Sequence, residues 1–584
     1  MRTFVLCLWL GFLCSACSNG GSDNSPGTTP SPGVTPTPSM APSVTPIPSV
    51  TPIPSVTPTP SVTPTPSSSP TPTPTISGQT ISGRITFDRV PHTAVGSLDY
   101  ADTQVLPARN VQVVLLDSTD RVLATAVTDN DGNYQLETPS ETNVRVAVDA
   151  VMARADDYQW HFEVVDNTSN GALYSITGPI EASGSDNSVR NLHAPSGWNL
   201  GIDDYNDITQ RPAAPFAILD AIYEATDALA QALPGFSMPD CTLNWSYRNN
   251  TVQGQNVNGD LGTTYYDPAQ KAIFILGDAD GDTDEYDYSV LQHEFMHFVE
   301  DVLSRSDSIG GGHSLISKLD MRVAFSEGLA NGFAAILNGA GIYSDSQGVG
   351  QQDGYAISFE DNSLPNAGWF NENSIAKILY DIFDSSNEVG DLLSLGLSPI
   401  LEAITDPNFT QSNALSSIYL FSSVLRDRDP QARSFLQDML EKEQIFGTGE
   451  YGAGETNDGG LTTVLPVYDA LNNDTGTLCS SNQIDDSVNA LGTARFITFS
   501  EASTRTVQLV VRRESGRVTT DPNAYLFRNG MPWGEFVSGD ENVETVSIVL
   551  VPGDYILEVT DDTNQDGNPF TGGKNCFLVN LFLL

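Results

Sequence analysis

The residues of this chain with the clearest chemical potential are two histidines and a glutamate in the segment His293-Glu294-Phe295-Met296-His297. Apolar residues recur at three- and four-residue intervals through YSVLQHEFMHFVEDVL, which predicts a helix. Helical residues four apart lie one turn apart on one face, so both imidazoles can bind one metal ion. Glu294 lies about 100° round the helix from His293, where its carboxylate can take a proton from water at the metal. The spacing predicts a zinc site with His293 and His297 as ligands and Glu294 as general base.

A third zinc ligand must come from outside this segment. Metzincins continue the segment with Gly and His, at positions that Glu300 and Leu303 occupy here, so that class is excluded. The downstream stretch AFSEGLAN resembles the second helix of gluzincin metallopeptidases. The resemblance implies Glu327 as the third ligand and peptide-bond hydrolysis as the activity. Asp320 and His313 remain alternative third ligands.

The gluzincin resemblance also suggests supporting residues. Asn331, one turn after Glu327, matches the place where related enzymes hold the first histidine with a carboxylate, and an amide oxygen can accept the same imidazole proton. A hydrogen-bond donor must also stabilise the oxyanion of the tetrahedral intermediate. Tyr380, His313 and Tyr355 are the candidates, although Tyr380 lies in the apolar-periodic stretch SIAKILYDIFD and competes as a core residue.

An acidic stretch comes directly before the predicted zinc-binding helix. It holds six acidic residues in the ten positions 278–287, and these repel one another unless cations or water screen them. Asp278, Asp280, Asp282 and Asp284 alternate around a central glycine, a pattern that resembles calcium loops, although it departs from the EF-hand spacing. We therefore predict a calcium site, with a solvated loop that caps the following helix as the alternative.

Composition limits the partners and the number of domains. The chain has 584 residues, too many for one hydrophobic core, so several domains are expected. Its 26 Lys and Arg against 73 Asp and Glu give a formal net charge of −47, which repels phosphate backbones. Nucleic acid is therefore excluded as a partner, and divalent cations are compatible ligands.

The N-terminal region carries targeting signals. Residues 1–17, MRTFVLCLWLGFLCSAC, have a basic residue, an apolar run and then small residues, which is the layout of a secretory signal. Its end resembles the bacterial lipobox, which implies lipidation at Cys17 and an outer-membrane lipoprotein, with an extracellular product as the alternative. Residues 18–78 form a Pro/Thr/Ser-rich linker that favours an extended spacer. Membrane contact is expected through the lipid anchor alone.

Three folded domains are predicted after the linker: a β-sandwich, an α-rich (α+β) zincin-like catalytic domain and a C-terminal β-sandwich. Residues 79–198 show strand-like alternation, and the turn TDNDGNYQL resembles the carboxypeptidase regulatory-like, transthyretin-like domain. Residues 199–475 change to helical periodicity. Residues 476–584 return to strands, and VLVPGDYILEVTDD with CFLVNL resembles the pre-peptidase C-terminal β-sandwich. Cys479 and Cys576 flank this last domain and are the preferred disulfide, while a pairing of Cys241 with Cys479 stays open.

Together these features predict an exported, monomeric zinc endopeptidase that acts on protein or peptide substrates. Two other functions are compatible with the same sequence. One is a non-catalytic surface adhesion or glycan-binding lipoprotein, and the other is a zinc hydrolase acting on a non-peptide substrate.

Overall fold

The computed structural model describes residues 79–385, 393–484, 487–565 and 573–584. The predicted signal peptide, the predicted lipidation site Cys17 and the predicted linker lie outside the described residues. The described ranges form a multidomain, β-rich structure with eight α-helices and thirty strands. The helices are α1 (Ala214–Ala232), α2 (Tyr288–Leu303), α3 (Met321–Leu337), α4 (Glu372–Phe383), α5 (Leu397–Thr405), α6 (Pro407–Thr410), α7 (Ile418–Arg428) and α8 (Pro430–Lys442). In these ranges we find no helix with the length and apolar composition needed to span a bilayer.

The strands fall into an N-terminal and a C-terminal group. Those before α3 are β1 (Gln79–Arg89), β2 (Gln104–Pro107), β3 (Val111–Asp117), β4 (Val122–Val127), β5 (Asn133–Thr138), β6 (Asn143–Ala155), β7 (Gln159–Asp166), β8 (Ala172–Leu173), β9 (Ser175–Thr177), β10 (Glu181–Ala182), β11 (Ser188–Val189), β12 (Leu192–Ala194), β13 (Trp198–Asn199), β14 (Asp204–Tyr205), β15 (Cys241–Trp245), β16 (Tyr265–Asp267), β17 (Ala272–Ile275), β18 (Gly277–Asp278) and β19 (Asp282–Thr283). Those after α3 are β20 (Ile342–Gln347), β21 (Asp353–Ser358), β22 (Tyr468–Ala470), β23 (Thr475–Ser480), β24 (Arg495–Glu501), β25 (Arg505–Ser515), β26 (Pro522–Arg528), β27 (Met531–Phe536), β28 (Val543–Leu550), β29 (Gly553–Asp561) and β30 (Asn575–Leu583).

Two sheets make up the N-terminal region. In the first, β1 pairs antiparallel with β2 and β5 and parallel with β11 and β12. The second contains β3, β4, β6 and β7 in the order β7-β6-β3-β4. Residues that alternate along the strands turn one face inward, and Phe87 of the first sheet is buried in the same cluster as Val113 and Val146 of the second. The two sheets therefore share a core.

The second sheet does not stop at the predicted 198/199 boundary. It continues through β15, β17 and β16, and β15 pairs parallel with β7 so that Cys241 stands opposite Phe162. The Phe162 ring in turn lies 5.8 Å from that of Phe295 and 6.2 Å from that of Phe298, both on α2. The boundary therefore does not separate two cores, because the N-terminal strands form part of the base on which the HExxH helix packs.

Helix α3 lies at the centre of the helical layer. Its residues are buried on all sides from Met321 to Ile336, as expected for an apolar helix surrounded by other elements. Gly328 faces α4 closely, since a Cβ at this position would lie 2.5 Å from the Ile375 side chain. The small residues of α3 thus permit close packing on α4.

The C-terminal strands form two sheets, with orders β22-β24-β29-β26-β27 and β23-β30-β25-β28. They enclose a second buried cluster that includes Val511, Leu557 and Phe577. Since β22 starts at residue 468, this region begins before the predicted 475/476 boundary. Cys479 is bonded to Cys576, with an S–S distance of 2.07 Å, and Cys241 is buried and forms no disulfide with another described cysteine.

Candidate metal centre

Three side chains from two helices converge at one point. The Nε2 atoms of His293 and His297 lie 3.1 Å apart on α2. The Glu327 Oε2 atom on α3 lies 3.2 Å from His293 Nε2 and 3.3 Å from His297 Nε2. Ligand atoms of a tetrahedral zinc ion with bonds of about 2.0–2.1 Å are separated by about 3.3 Å. The donor set and its spacing therefore fit zinc.

The local sequence explains the positions of the two histidines but not the position of Glu327. The spacing of the two histidines places both on one face of α2, whereas Glu327 arrives because α3 packs against α2. Glu327 is 1 % exposed. Burial by itself would raise its pKa, but the neighbouring His313 and His297 outweigh this and hold the pKa of Glu327 well below its usual value. The carboxylate stays ionised, as a metal ligand must.

Each of the two imidazoles also has a contact at its Nδ1 atom, on the other side of the ring from Nε2. His293 Nδ1 lies 3.0 Å from Asn331 Oδ1, the contact that the resemblance implied. His297 Nδ1 lies 3.3 Å from Ser326 Oγ, and this hydroxyl donates to Glu300 Oε2 at 2.6 Å. When Nδ1–H is the donor in both contacts, both Nε2 lone pairs point to the metal position.

Ser326 and Glu300 were not among the residues predicted from sequence. Ser326 directly precedes Glu327, and Glu300 lies one turn after His297, so helical spacing alone could have drawn attention to them. Nothing in the sequence indicates that these two side chains contact each other, because they belong to different helices.

Glu294 is fully buried next to the two histidines. Its Oε2 atom accepts a hydrogen bond of 2.9 Å from the backbone N–H of Tyr266. Tyr266 belongs to β16, the edge strand of the ten-stranded sheet. This contact fixes the orientation of the carboxylate that was predicted to act as general base.

The alternative ligands take other positions. His313 Nε2 lies 3.4 Å from Glu327 Oε2, and His313 Nδ1 lies 2.8 Å from Glu372 Oε2. His313 is nevertheless not part of the group of mutually close ligand atoms formed by the two HExxH histidines and Glu327. Asp320 begins α3 as its N-cap and pairs with Arg322 at 2.9 Å, so it is not a ligand.

Of the predicted oxyanion donors, His313 contacts the centre through its Nε2 atom, which lies 3.4 Å from Glu327 Oε2. The Tyr355 ring stacks 6.5 Å from that of Tyr343, whose ring is 6.2 Å from that of His293. Tyr380 follows Glu372 by eight residues on α4, which corresponds to about 12 Å along the helix. It is buried, and a Cβ at Gly341 would contact its ring.

A second group of carboxylates lies before α2. Oxygen atoms of Asp282, Asp284, Asp287 and Asp345 all lie within 4.8 Å of one another, and we call these residues the acidic cluster. Two of these residues, Asp282 and Asp284, were predicted from the sequence as calcium ligands. The predicted ligands Asp278 and Asp280 are not part of the cluster.

Asp284 and Asp287 of the acidic cluster are buried, whereas Asp282 and Asp345 are half-buried. Asp287 is fully buried and receives hydrogen bonds from His92 Nε2 at 2.6 Å and from Ser346 Oγ at 2.8 Å. Burial first, and then the neighbouring carboxylates, raise the pKa values of Asp282 and Asp284 well above their usual range. Asp287 stands at the N-cap of α2, but its side chain makes no capping bond.

Comparison with known proteins gives little further information. No protein-family model and no curated protein matches the chain. Among solved structures, the pre-peptidase C-terminal domain of a collagenase from Bacillus anthracis is 17 % identical, with 20 % of this chain and 91 % of that chain covered and a TM-score of 0.14. A CBM35 from Cellvibrio japonicus Abf62 is 18 % identical to this chain. The match covers 15 % of this chain and 64 % of that chain, with a TM-score of 0.11. At these scores neither likeness supports an argument about this chain.

Proposed function

We propose that this chain is an exported zinc-dependent endopeptidase that hydrolyses peptide bonds in protein or peptide substrates. The main support is the convergence of two imidazole nitrogens and one carboxylate oxygen, 3.1 to 3.3 Å apart. Glu294, buried and oriented by a backbone N–H, lies in the same helix turn. These are the groups that a zinc hydrolase needs, and peptide as the substrate rests on the gluzincin resemblance.

In this proposal His293, His297 and Glu327 hold the zinc ion, which would acidify a water molecule and polarise the scissile carbonyl. Glu294 takes the proton of the attacking water and passes it to the leaving amine nitrogen. His313, held by Glu372 through a contact of 2.8 Å at Nδ1, is the proposed hydrogen-bond donor to the oxyanion. Asn331 and Ser326 keep the two ligand imidazoles in place.

Metal analysis combined with peptide hydrolysis tests the proposal. We expect one zinc per chain and chelator-sensitive cleavage of casein or a broad peptide library. Glu294→Gln should keep zinc and lose about 10²- to 10⁴-fold in turnover, the usual contribution of a general base. Glu327→Ala should lose zinc. Glu535→Gln, the same change at an exposed position of the C-terminal region, is the matched control.

The two other functions correspond to distinct results of the same assays. Stoichiometric zinc without cleavage of any peptide would refute the peptidase and favour an adhesion or glycan-binding lipoprotein. Chelator-sensitive hydrolysis of ester substrates, with no peptide cleaved, would instead indicate a zinc hydrolase with a non-peptide substrate.

We also propose that the acidic cluster binds calcium. Four carboxylates from two chain segments offer the oxygen ligands that calcium prefers, and Asp282 Oδ1 is buried without a hydrogen-bond partner among the described residues. Calcium added to zinc-loaded, calcium-free protein should raise the unfolding temperature, and Asp284→Asn should abolish that increase. An equal increase in the variant would contradict the site.

The proposed location rests on the sequence of the N-terminal region. A lipid at Cys17 would place the protein in the outer membrane fraction. Replacing Cys17 by Ser should release it into the soluble exported fraction, and unchanged fractionation would contradict the anchor.

A further inference from the structure

A cavity of about 270 Å³ lies beside the metal centre, on the side of His297 and Glu327. Its walls come from β16, from α2 after the second histidine, from residues 306–310 and from the start of α3. We call it the side pocket and define it by Tyr265, Tyr266, His297, Glu300, Asp301 and Glu327. Pockets for drug-sized ligands measure about 300–1,000 Å³. The side pocket is therefore sized for one amino-acid side chain that reaches in from the metal position.

Glu300 is a side-pocket residue with unused hydrogen-bonding capacity. It is 1 % exposed, and its Oε2 atom accepts the Ser326 hydroxyl at 2.6 Å. Its Oε1 atom is buried and has no hydrogen-bond partner within the described ranges. A buried carboxylate oxygen without a partner is unfavourable by an amount that a donor group on a ligand would recover.

The neighbouring acid, Asp301, is already neutralised. Its Oδ2 atom lies 2.5 Å from Lys271 Nζ and accepts the Tyr266 hydroxyl at 2.6 Å. The described lining residues of the side pocket include no Lys or Arg, and the ionic contact of Glu300 there is with the His297 imidazole, whose Nδ1 atom lies 3.9 Å from Glu300 Oε2. The two tyrosines add flat aromatic surface, which favours a guanidinium or an aliphatic stem capped by an ammonium group.

We propose that the side pocket binds the side chain of a lysine or arginine that flanks the scissile bond, with the Glu300 carboxylate as its ionic partner. The proposal rests on the peptidase function proposed above and specifies its substrates. The net charge of −47 agrees with it, because a strongly acidic surface concentrates basic peptides.

Glu300 has a second role that the test must separate from recognition. Through Ser326 it supports His297, and the loss of that support would lower zinc occupancy or turnover for every substrate. A change in recognition instead alters the ratio of kcat/KM between a basic and a neutral substrate. This ratio does not depend on the fraction of enzyme that carries zinc.

The experiment uses the zinc-loaded full chain and quenched fluorescent peptides of one scaffold. They carry either lysine or norleucine, an uncharged side chain of similar length, on each side of the cleaved bond in turn. We expect wild type to prefer lysine by about tenfold or more in kcat/KM at one position, as for a charged hydrogen bond. Glu300→Gln keeps an acceptor for Ser326 and should reduce the ratio to about one. Asp301→Asn, at the carboxylate already paired with Lys271, should retain the preference.

The outcomes distinguish the two proposals. Peptide cleavage without a lysine preference, or a preference that survives Glu300→Gln, would overturn the pocket assignment and leave the peptidase intact. If Asp301→Asn loses the lysine preference while Glu300→Gln keeps it, the pocket assignment is overturned as well. Absence of cleavage of every peptide would refute the peptidase and, with it, this inference.

Discussion

Removing the amide that holds His293 gives a direct test of the metal centre. His293 Nδ1 and Asn331 Oδ1 are 3.0 Å apart and both residues are buried, so water cannot replace the amide without rearrangement. An imidazole N–H left without an acceptor costs about 1–3 kcal/mol. Since each 1.4 kcal/mol is a factor of ten, Asn331→Ala should weaken zinc binding about 5- to 150-fold. This agrees with the usual effect of residues that orient metal ligands, about 10- to 100-fold.

The assay is competition for zinc with a chromogenic chelator at fixed pH, with circular dichroism to verify folding. Asn331→Leu removes the acceptor while filling the space, so it should weaken binding as much as Asn331→Ala. Asn331→Asp keeps an acceptor and adds a negative charge, so it should bind zinc at least as tightly as wild type. The reasoning is refuted if the alanine variant binds zinc within twofold of wild type, or if the aspartate variant is as weak as the alanine variant.

Three further predictions concern stability. Glu558→Ala should lower the free energy of unfolding by about 3 kcal/mol, because the buried Arg322 guanidinium loses two of its four carboxylate hydrogen bonds; urea unfolding measures this. Replacing Cys479 and Cys576 by alanine should cost about 4–5 kcal/mol, as expected for a sequence separation of 97, with zinc content unchanged. In calcium-free protein, the raised pKa values in the acidic cluster mean that the folded state binds more protons than the unfolded state. Stability should therefore fall as pH rises above about 4, and calcium should reverse this fall in thermal unfolding.

The elements that repeat a local pattern could be predicted well. Helix α2 shows apolar residues at helical intervals, and strands such as β3 and β29 show alternation or apolar runs between turn residues. Strand β7, QWHFEVVD, lies inside the strand-rich range predicted from sequence, whereas its partner β15 lies outside that range. Their pairing could not be predicted, because it joins residues far apart in the sequence. This pairing is also what carries the sheet past the predicted domain boundary.

The acidic stretch before α2 also shows that the sequence predicts only part of a site. Alternating aspartates indicated a cation site, and Asp282 and Asp284 lie in it. Asp345 joins from the hairpin β20–β21, and Asp287 turns into the cluster instead of capping its own helix. A linear spacing cannot show which carboxylates a distant hairpin will bring together.

The sequence by itself determined which chemical groups helix α2 brings together, because two histidines and a glutamate at fixed helical spacing share a turn wherever the helix lies. The tertiary structure decided everything that crosses between elements. Packing of α3 on α2 brings Glu327 within 3.3 Å of both imidazoles. The same packing places Asn331 behind His293 and leaves one oxygen of Glu300, beside the candidate metal centre, without a hydrogen-bond partner in the described part of the chain. These contacts depend on side-chain packing between segments distant in sequence, which local periodicity does not encode.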